Sequence, residues 1–522
     1  MIDSGDKFID VFLPAFVFIT IFAAIINSTY MKRHPLHILH CTVTLCLASV
    51  LTLPSSATIT PGPLIGNGMV LQQQSDVRIW GTTDKPGARI TVRTSWSKQR
   101  YACKADADGR WSLTVATPKA TFDPQTVTLS DGDKLTLTDV LIGEVWLASG
   151  QSNMEMPLHG FEGCPVENSA EYIAEAGRYK GRIHLCTVAF SPHPEEVDTV
   201  SATWQDSSPA TARDFCAVAW FFGRRLTEAL NCPVGLINSS LGATRVEGWM
   251  PRDIVAHYPD QDIESETYRT AHLVRPAYNV ERSLPCVFYN GMIHPLLGYG
   301  LRGFLWYQAE ANINEPETYT ERFVEMVRCW RERWGLGDLP FYYVEICPYD
   351  YFWAKDKATP ALVREAQYKA SELLPNMGMV CTNDLVHDYE YWQIHPCMKR
   401  EVGERLFLWA LGDAYGVEGI DYRSPVYRSM KVEEDGQVRL SFDYADDGFN
   451  RNVGIEGFEM CGPDSVWHKA SAGNAGREIT VRCSEVKEPV AVRYAFKSFS
   501  PGNLKANSGL PVIPFRTDNF PK

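Results

Sequence analysis

The chain has 522 residues, of which 45% are hydrophobic and 22% charged, with a formal net charge of −13 at pH 7. That length is too great for one simple core and predicts two or three domains. The acidic balance argues against a nucleic-acid partner, because phosphate binding needs a basic face, and fits neutral or carbohydrate partners.

Two apolar stretches open the chain, Phe8 to Ile26, broken by Pro14, and Ile38 to Leu53, preceded by Met31-Lys32-Arg33-His34. Ser55-Ser56-Ala57 closes the second with small residues. A basic start, an apolar middle and a small-residue exit predict a targeting segment over residues 1–57, cleaved after Ala57, with Met31 as an alternative start. The competing reading is a membrane anchor at 8–26, whose length is near that needed to span. Thr44-Leu45 before Cys46 lacks the small residues that precede a lipidated cysteine. Export predicts a periplasmic or extracellular protein in an oxidising compartment. Of the 14 cysteines, Cys41 and Cys46 fall in this segment; none forms a CxxC pair or a zinc-type spacing, and most read as buried thiols, with a few disulfides of unassigned pairing left open.

Residues 62–140 read as a small N-terminal β-sandwich domain: VRIWGTT, ARITVRTS, WSLTVAT and LTLTDVLIG are β-rich runs separated by Gly, Pro and Asp turns. From 141 to 424 strands alternate with helices. The strand candidates are VWLASG, IHLCTVAF, VGLINSS, GFLWYQ, PFYYVEI and MGMVCTND. The helical candidates are AVAWFFGRRLTEALN, REAQYKASELL, REVGERLFLWAL and the segment in which Tyr319, Phe323, Met326, Trp330 and Trp334 recur. This alternation predicts an α/β domain with a mostly parallel, doubly wound sheet. Residues 425–522 return to β patterning and read as a C-terminal β-domain.

Polar residues with catalytic potential follow several of the α/β strands. VWLASG leads to Ser152, VGLINSS to Gly242, GFLWYQ to Gln308, Glu310 and Asn312, and MGMVCTND to Asp384, with His395 beyond. Ligands of open parallel sheets bind outside the carboxyl ends of the strands, so these residues are candidates for one cleft. A serine hydroxyl needs a base within reach and donors for the oxyanion. Each residue also has a bland reading: a helix cap for Ser152, a turn for Gly242, a buried polar anchor for Gln308, a packed helix-start histidine for His395.

At these residues the sequence resembles the sialate O-acetylesterase family of the SGNH-hydrolase superfamily. GEVWLASGQSNMEMPL resembles its nucleophile block. MVLQQQSDVRIWG, INSSLGATRVEGWM, FYNGMIHPLLGYGLRGFLWYQAEAN, IHPCMKREVGERL and the closing VRYAFKSFSPGNLKANSGLPVIPFRTD follow the family's order, from about Pro63 to Asp518. The resemblance implies a three-layer α/β/α catalytic domain and hydrolysis of acetyl esters on sugars, with 9-O-acetyl sialic acid first and xylan or pectin as alternatives. It implies Ser152 as nucleophile and His395 as base. The Ser152 and Gly242 N–H groups with Gln308 or Asn312 form the oxyanion hole, and no metal or organic cofactor is implied. Ala243 and Ala309 stand where the family has glycine. Trp392 occupies the position three before the histidine, where many SGNH enzymes carry aspartate, and Gln393 stands where related sequences often carry it. Asp384 is then the first choice for the acid that orients His395, with Asp388, Glu390 or a backbone carbonyl as alternatives. Two other readings remain open at this point: a glycoside hydrolase using Glu310 and Asp384, and a non-catalytic glycan-binding relative.

Overall fold

The computed structural model describes residues 59–270 and 281–520. The targeting segment expected over residues 1–57, with Cys41 and Cys46, lies outside them. The first strands are β1 (Ile59–Pro61), β2 (Val70–Gln72), β3 (Asp76–Thr83), β4 (Arg89–Thr94), β5 (Arg100–Lys104), β6 (Arg110–Ala116) and β7 (Thr121–Ser130). β1, β3 and β6 form one antiparallel sheet, and β4 pairs with β5 and β7 in another.

β8 (Lys134–Gly150) is a single strand of 17 residues. Its first half pairs with β7 and its second half enters the central sheet. It therefore runs without a break through the boundary expected between residues 140 and 141. The sequence there is apolar and carries no proline. The glycine inside it, Gly143, is a packing requirement: a Cβ would come 2.1 Å from the Pro233 carbonyl oxygen.

The central sheet adds β9 (Ile183–Val188), β10 (Ala202–Asp206), β11 (Val234–Ser240), β12 (Gly303–Tyr307), β13 (Phe341–Val344) and β14 (Met377–Val380) in the order β10-β9-β11-β8-β12-β13-β14. All neighbours are parallel except β10 with β9. Successive side chains on a strand point to opposite faces, and the strands here sort accordingly. Val145, Leu147, Phe304, Trp306, Phe341 and Tyr343 pack on one side, with the helices Pro316–Trp334 and Thr359–Ala370. Trp146, Ala148, Leu305, Tyr307, Tyr342 and Val344 pack on the other, with Ala217–Leu230 and Lys399–Trp409. Both faces are apolar because both are covered, which gives the expected three-layer α/β/α arrangement.

After the last helix, two four-stranded antiparallel sheets enclose one core that includes Val438, Leu440, Phe458, Ile479, Tyr494 and Phe515. All twelve cysteines among the described residues are free thiols, and nine are buried.

Candidate active site at the carboxyl edge of the sheet

The central strand β8 ends at Gly150, whose φ is +131° and whose missing Cβ leaves room for the Tyr307 carbonyl at 2.2 Å. Only glycine fits that turn. The Gln151 N–H then bonds the Tyr307 carbonyl at 2.9 Å. Ser152 follows as the first residue of the short helix Ser152–Glu155. Backbone N–H groups at a helix start have no intrahelical partner and are available to a ligand.

Ser152, Gly242 and His395 line one open cleft of about 600 Å³ with Glu155, Glu310 and Arg282. Phe161 and Trp353 supply aromatic surface to the same cleft. A methyl group added at Gly242 would lie 3.1 Å from the Ser152 Cβ, so the two backbones approach closely. The loops of Ser152 and His395 are tied together by Asn153, whose Nδ2 donates to the Ile394 carbonyl at 3.1 Å and to Glu310 Oε1 at 2.5 Å. Asn153 Oδ1 accepts from the buried Lys399 Nζ at 2.7 Å. Burial lowers the Lys399 ammonium to about 8, and it raises the Glu310 carboxyl against the bond from Asn153. Glu310 Oε2 is buried and has no hydrogen-bond partner among the described residues.

The Gly242 N–H is engaged: it donates to Glu155 Oε2 at 2.6 Å. Burial raises the Glu155 carboxyl, while that N–H and the Arg282 charge pull the other way. An oxyanion bound at Gly242 therefore has to share that donor with Glu155 or displace it.

The other predicted residues sit differently. Gln308 is fully buried and outside the cleft lining. Its Nε2 donates to the Thr244 carbonyl at 3.0 Å and to Asn312 Oδ1 at 2.8 Å, and its Oε1 accepts from Tyr319 at 3.0 Å. Asn312 accepts from the Val246 N–H and donates to Glu247 and Glu315. The amide protons of both are taken up by internal partners, so neither is poised as an oxyanion donor. Asp384, expected on His395, accepts instead from Arg405 at 2.7 and 2.8 Å and pairs with Lys505 at 2.6 Å. No hydrogen bond joins it to His395 among the described residues, and it does not line the cleft. A glycoside hydrolase pair of Glu310 and Asp384 loses its second member for the same reason. Glu390 is held by the Cys397 and His387 N–H groups, and Asp388 is exposed.

Ala243 and Ala309 both adopt positive φ, +60° and +142°. Glycine is at ease there and alanine is strained, at about 1–3 kcal/mol per site. Ala243 lines the cleft, whereas Ala309 is buried beneath it. Nothing in the sequence points to a role for Asn153, Glu155 or Lys399, although all three lie inside the motif blocks.

Among groups able to hold a metal, Glu167, His387 and Cys397 bring ligand atoms within 4.8 Å of one another, outside the cleft. His387 Nε2 faces Glu167 Oε1 at 3.8 Å, while the Glu390 N–H donates to the His387 carbonyl at 2.9 Å.

A covered, mostly parallel sheet with a serine after its central strand and a histidine beyond its last one, both lining one cleft, fits a three-layer hydrolase of the SGNH type. The comparisons with known proteins agree. The family model for the carbohydrate esterases called sialic acid-specific acetylesterases matches residues 142–410. A sialate O-acetylesterase of Pongo abelii is 30% identical over 86% of this chain and 91% of its own, and the human one 30% over 70% and 73%. The crystal structure of a carbohydrate acetylesterase from Xanthomonas citri superposes with a TM-score of 0.78 at 32% identity, covering 88% of this chain and all of its own. This chain belongs to the sialic acid-specific acetylesterase family of carbohydrate esterases. It is a carboxylic-ester hydrolase, and its reaction is the removal of O-acetyl groups from carbohydrate.

Proposed function

We propose that Ser152 attacks the acetyl carbonyl while His395 takes its proton. The imidazolium then protonates the departing sugar alkoxide, and water, activated by the same histidine, releases acetate from the acetyl-enzyme. The N–H groups of Ser152 and Gly242 stabilise the oxyanion. The observation that carries this reading is the Asn153 tether, which joins the residues next to Ser152 and His395 and brings both loops to one cleft. Gln308 and Asn312 act as anchors of the cleft floor, and Asp384 as a structural ion-pair partner.

The first substrate in this reading is an O-acetylated sialic acid, as the relatives' names suggest, with the 9-O-acetyl ester as the first to assay. Arg282 on the cleft wall, whose Nη1 donates to the Gly242 carbonyl at 2.7 Å, adds positive charge that favours an acidic sugar. A neutral acetylated polysaccharide such as xylan is the second reading. It is favoured by Glu155, Glu162 and Glu310 in the same lining, which repel an acidic sugar more than a neutral one; acidic pectin ranks below it. Acetate release from acetylated sialic acids, xylan and pectin separates these readings. Release from none of them, and from p-nitrophenyl acetate as well, overturns the proposal.

Burial, aided by the Lys399 charge, lowers the His395 imidazole from 6.5 to about 4. A depressed imidazole stays neutral, and thus basic, to lower pH. The acid limb of kcat/KM is therefore expected well below the ordinary histidine value of about 6.5. Measured rates against pH check this; a limb at 6.5 or above contradicts it.

We place the enzyme outside the cytoplasm, in the periplasm or the extracellular space, on the pattern of residues 1–57. Among the described residues no helix is long and apolar enough to cross a membrane. The N-terminal sequence of the mature protein distinguishes cleavage after Ala57 from retention as an anchor.

A further inference from the structure

The side of His395 that an acid would occupy faces a thiol and an amide. Cys164 Sγ lies 3.8 Å from His395 Nδ1 and 3.2 Å from Gln393 Oε1. Gln393 Oε1 also accepts from the His395 backbone N–H at 3.2 Å, and its Nε2 donates to the Gly163 carbonyl at 3.3 Å. Phe161 meets the imidazole edge to face at 5.2 Å. Phe161 and Cys164 close their turn with two backbone hydrogen bonds of 2.9 and 3.0 Å.

The directions of these bonds follow from which groups can only give or only take a proton. A backbone N–H can only donate, which fixes the Gln393 oxygen toward His395 and Cys164. That oxygen can only accept, so the single thiol proton goes to it. The sulfur then presents only lone pairs to the ring, and Nδ1 must carry the ring's proton. Nε2 is left with its lone pair.

We propose that Cys164 and Gln393 replace the orienting acid of this enzyme: a hydrogen-bond chain from Nδ1 through the thiol to the amide holds His395 in its base-competent tautomer. The inference rests on the reading of Ser152 and His395 given above. Cys164 and Gln393 are positioning residues, acting through the histidine. A neutral thiol orients the ring but does not stabilise the imidazolium as a carboxylate does. That fits a ring whose proton affinity is lowered by burial and by the Lys399 charge, with no anion bonded to it among the described residues. The titratable groups around the ring are Cys164 beside it, Glu155, Glu162, Glu310 and Arg282 in the cleft, and Lys399 behind it.

The test uses the full chain and an acetyl ester. Cys164→Ala is expected to lower kcat about tenfold with KM nearly unchanged, far less than the ~10⁴-fold loss that follows removal of a true triad acid. Cys164→Ser, which keeps one donor and one acceptor, recovers part of that loss. Gln393→Glu places a carboxylate in the chain and moves the acid limb of kcat/KM up by about one pH unit or more. An unchanged kcat in a folded Cys164→Ala, or an acid limb that stays in place in a folded Gln393→Glu, overturns the inference. Ser152→Ala, run alongside, keeps the two questions apart. If it is inactive while Cys164→Ala is unaffected, only the orienting chain fails; if it is fully active, the nucleophile reading fails first.

Discussion

Ser152→Ala is expected to lower kcat by about 10⁴-fold or more while leaving the unfolding transition within about 0.5 kcal/mol of the wild type. The first number follows from chemistry. Without the hydroxyl no acetyl-enzyme forms, and the remaining donors stabilise only direct attack by water. The second follows from structure: Ser152 is half-buried at the cleft, and its Oγ makes no hydrogen bond among the described residues. Acetate release measured in excess substrate, with thermal melts of both proteins, decides the matter. A variant that turns over at the wild-type rate moves the chemistry to some other group in the cleft.

Asp384→Asn is expected to do the opposite, costing stability and sparing the rate. The Asp384 side chain is 3% exposed, between Arg405 at 12% and Lys505 at 34%. Removing one partner of a buried pair leaves an uncompensated charge, at about 3–5 kcal/mol. Most of this arises at Arg405, since solvent screens the more exposed Lys505. Burial opposes the Asp384 charge, but the Arg405 bonds and both cations outweigh it and hold the carboxyl below its ordinary value. The stabilisation is then complete above the unfolded value near 3.8 and fades as pH falls through the folded one. The gap in Tm between the two proteins is therefore wide at neutral pH and narrows below about pH 4. The kcat of the folded variant stays within about threefold of wild type. A loss near the ~10⁴-fold seen when a triad acid is removed would return Asp384 to the histidine.

These two residues show what was legible before any coordinates. Strands and helices could be read because each carries its own period: VGLINSS is β11 residue for residue, and the aromatic spacing from Tyr319 to Trp334 marks the helix Pro316–Trp334. The rule that ligands gather at the carboxyl edge brought Ser152, Gly242 and His395 to one cleft. The same rule swept in Gln308, Asn312 and Asp384, which sit near that edge but face inward. A sequence reveals that a side chain can donate or accept, but not which neighbour already holds the bond. Gln308 is held by Thr244 and Asn312, and Asp384 by a helix and by a lysine 121 positions further on, Lys505. Cys164 stayed hidden for a related reason. It lies 231 positions from His395, in a turn with no motif of its own.

The long strand Lys134–Gly150 has a mechanical meaning. One half is a rung of the amino-terminal β-layers, the other is the spine of the hydrolase sheet, and its last residue sets the turn before Ser152. A beam shared by two floors cannot let one of them sag alone. Heating is expected to melt both regions in a single step, and a chain trimmed to begin at residue 141 would leave the β2 and β7 side of that beam bare. Wear at the far end of the molecule would thus be felt at the hydroxyl that performs the chemistry.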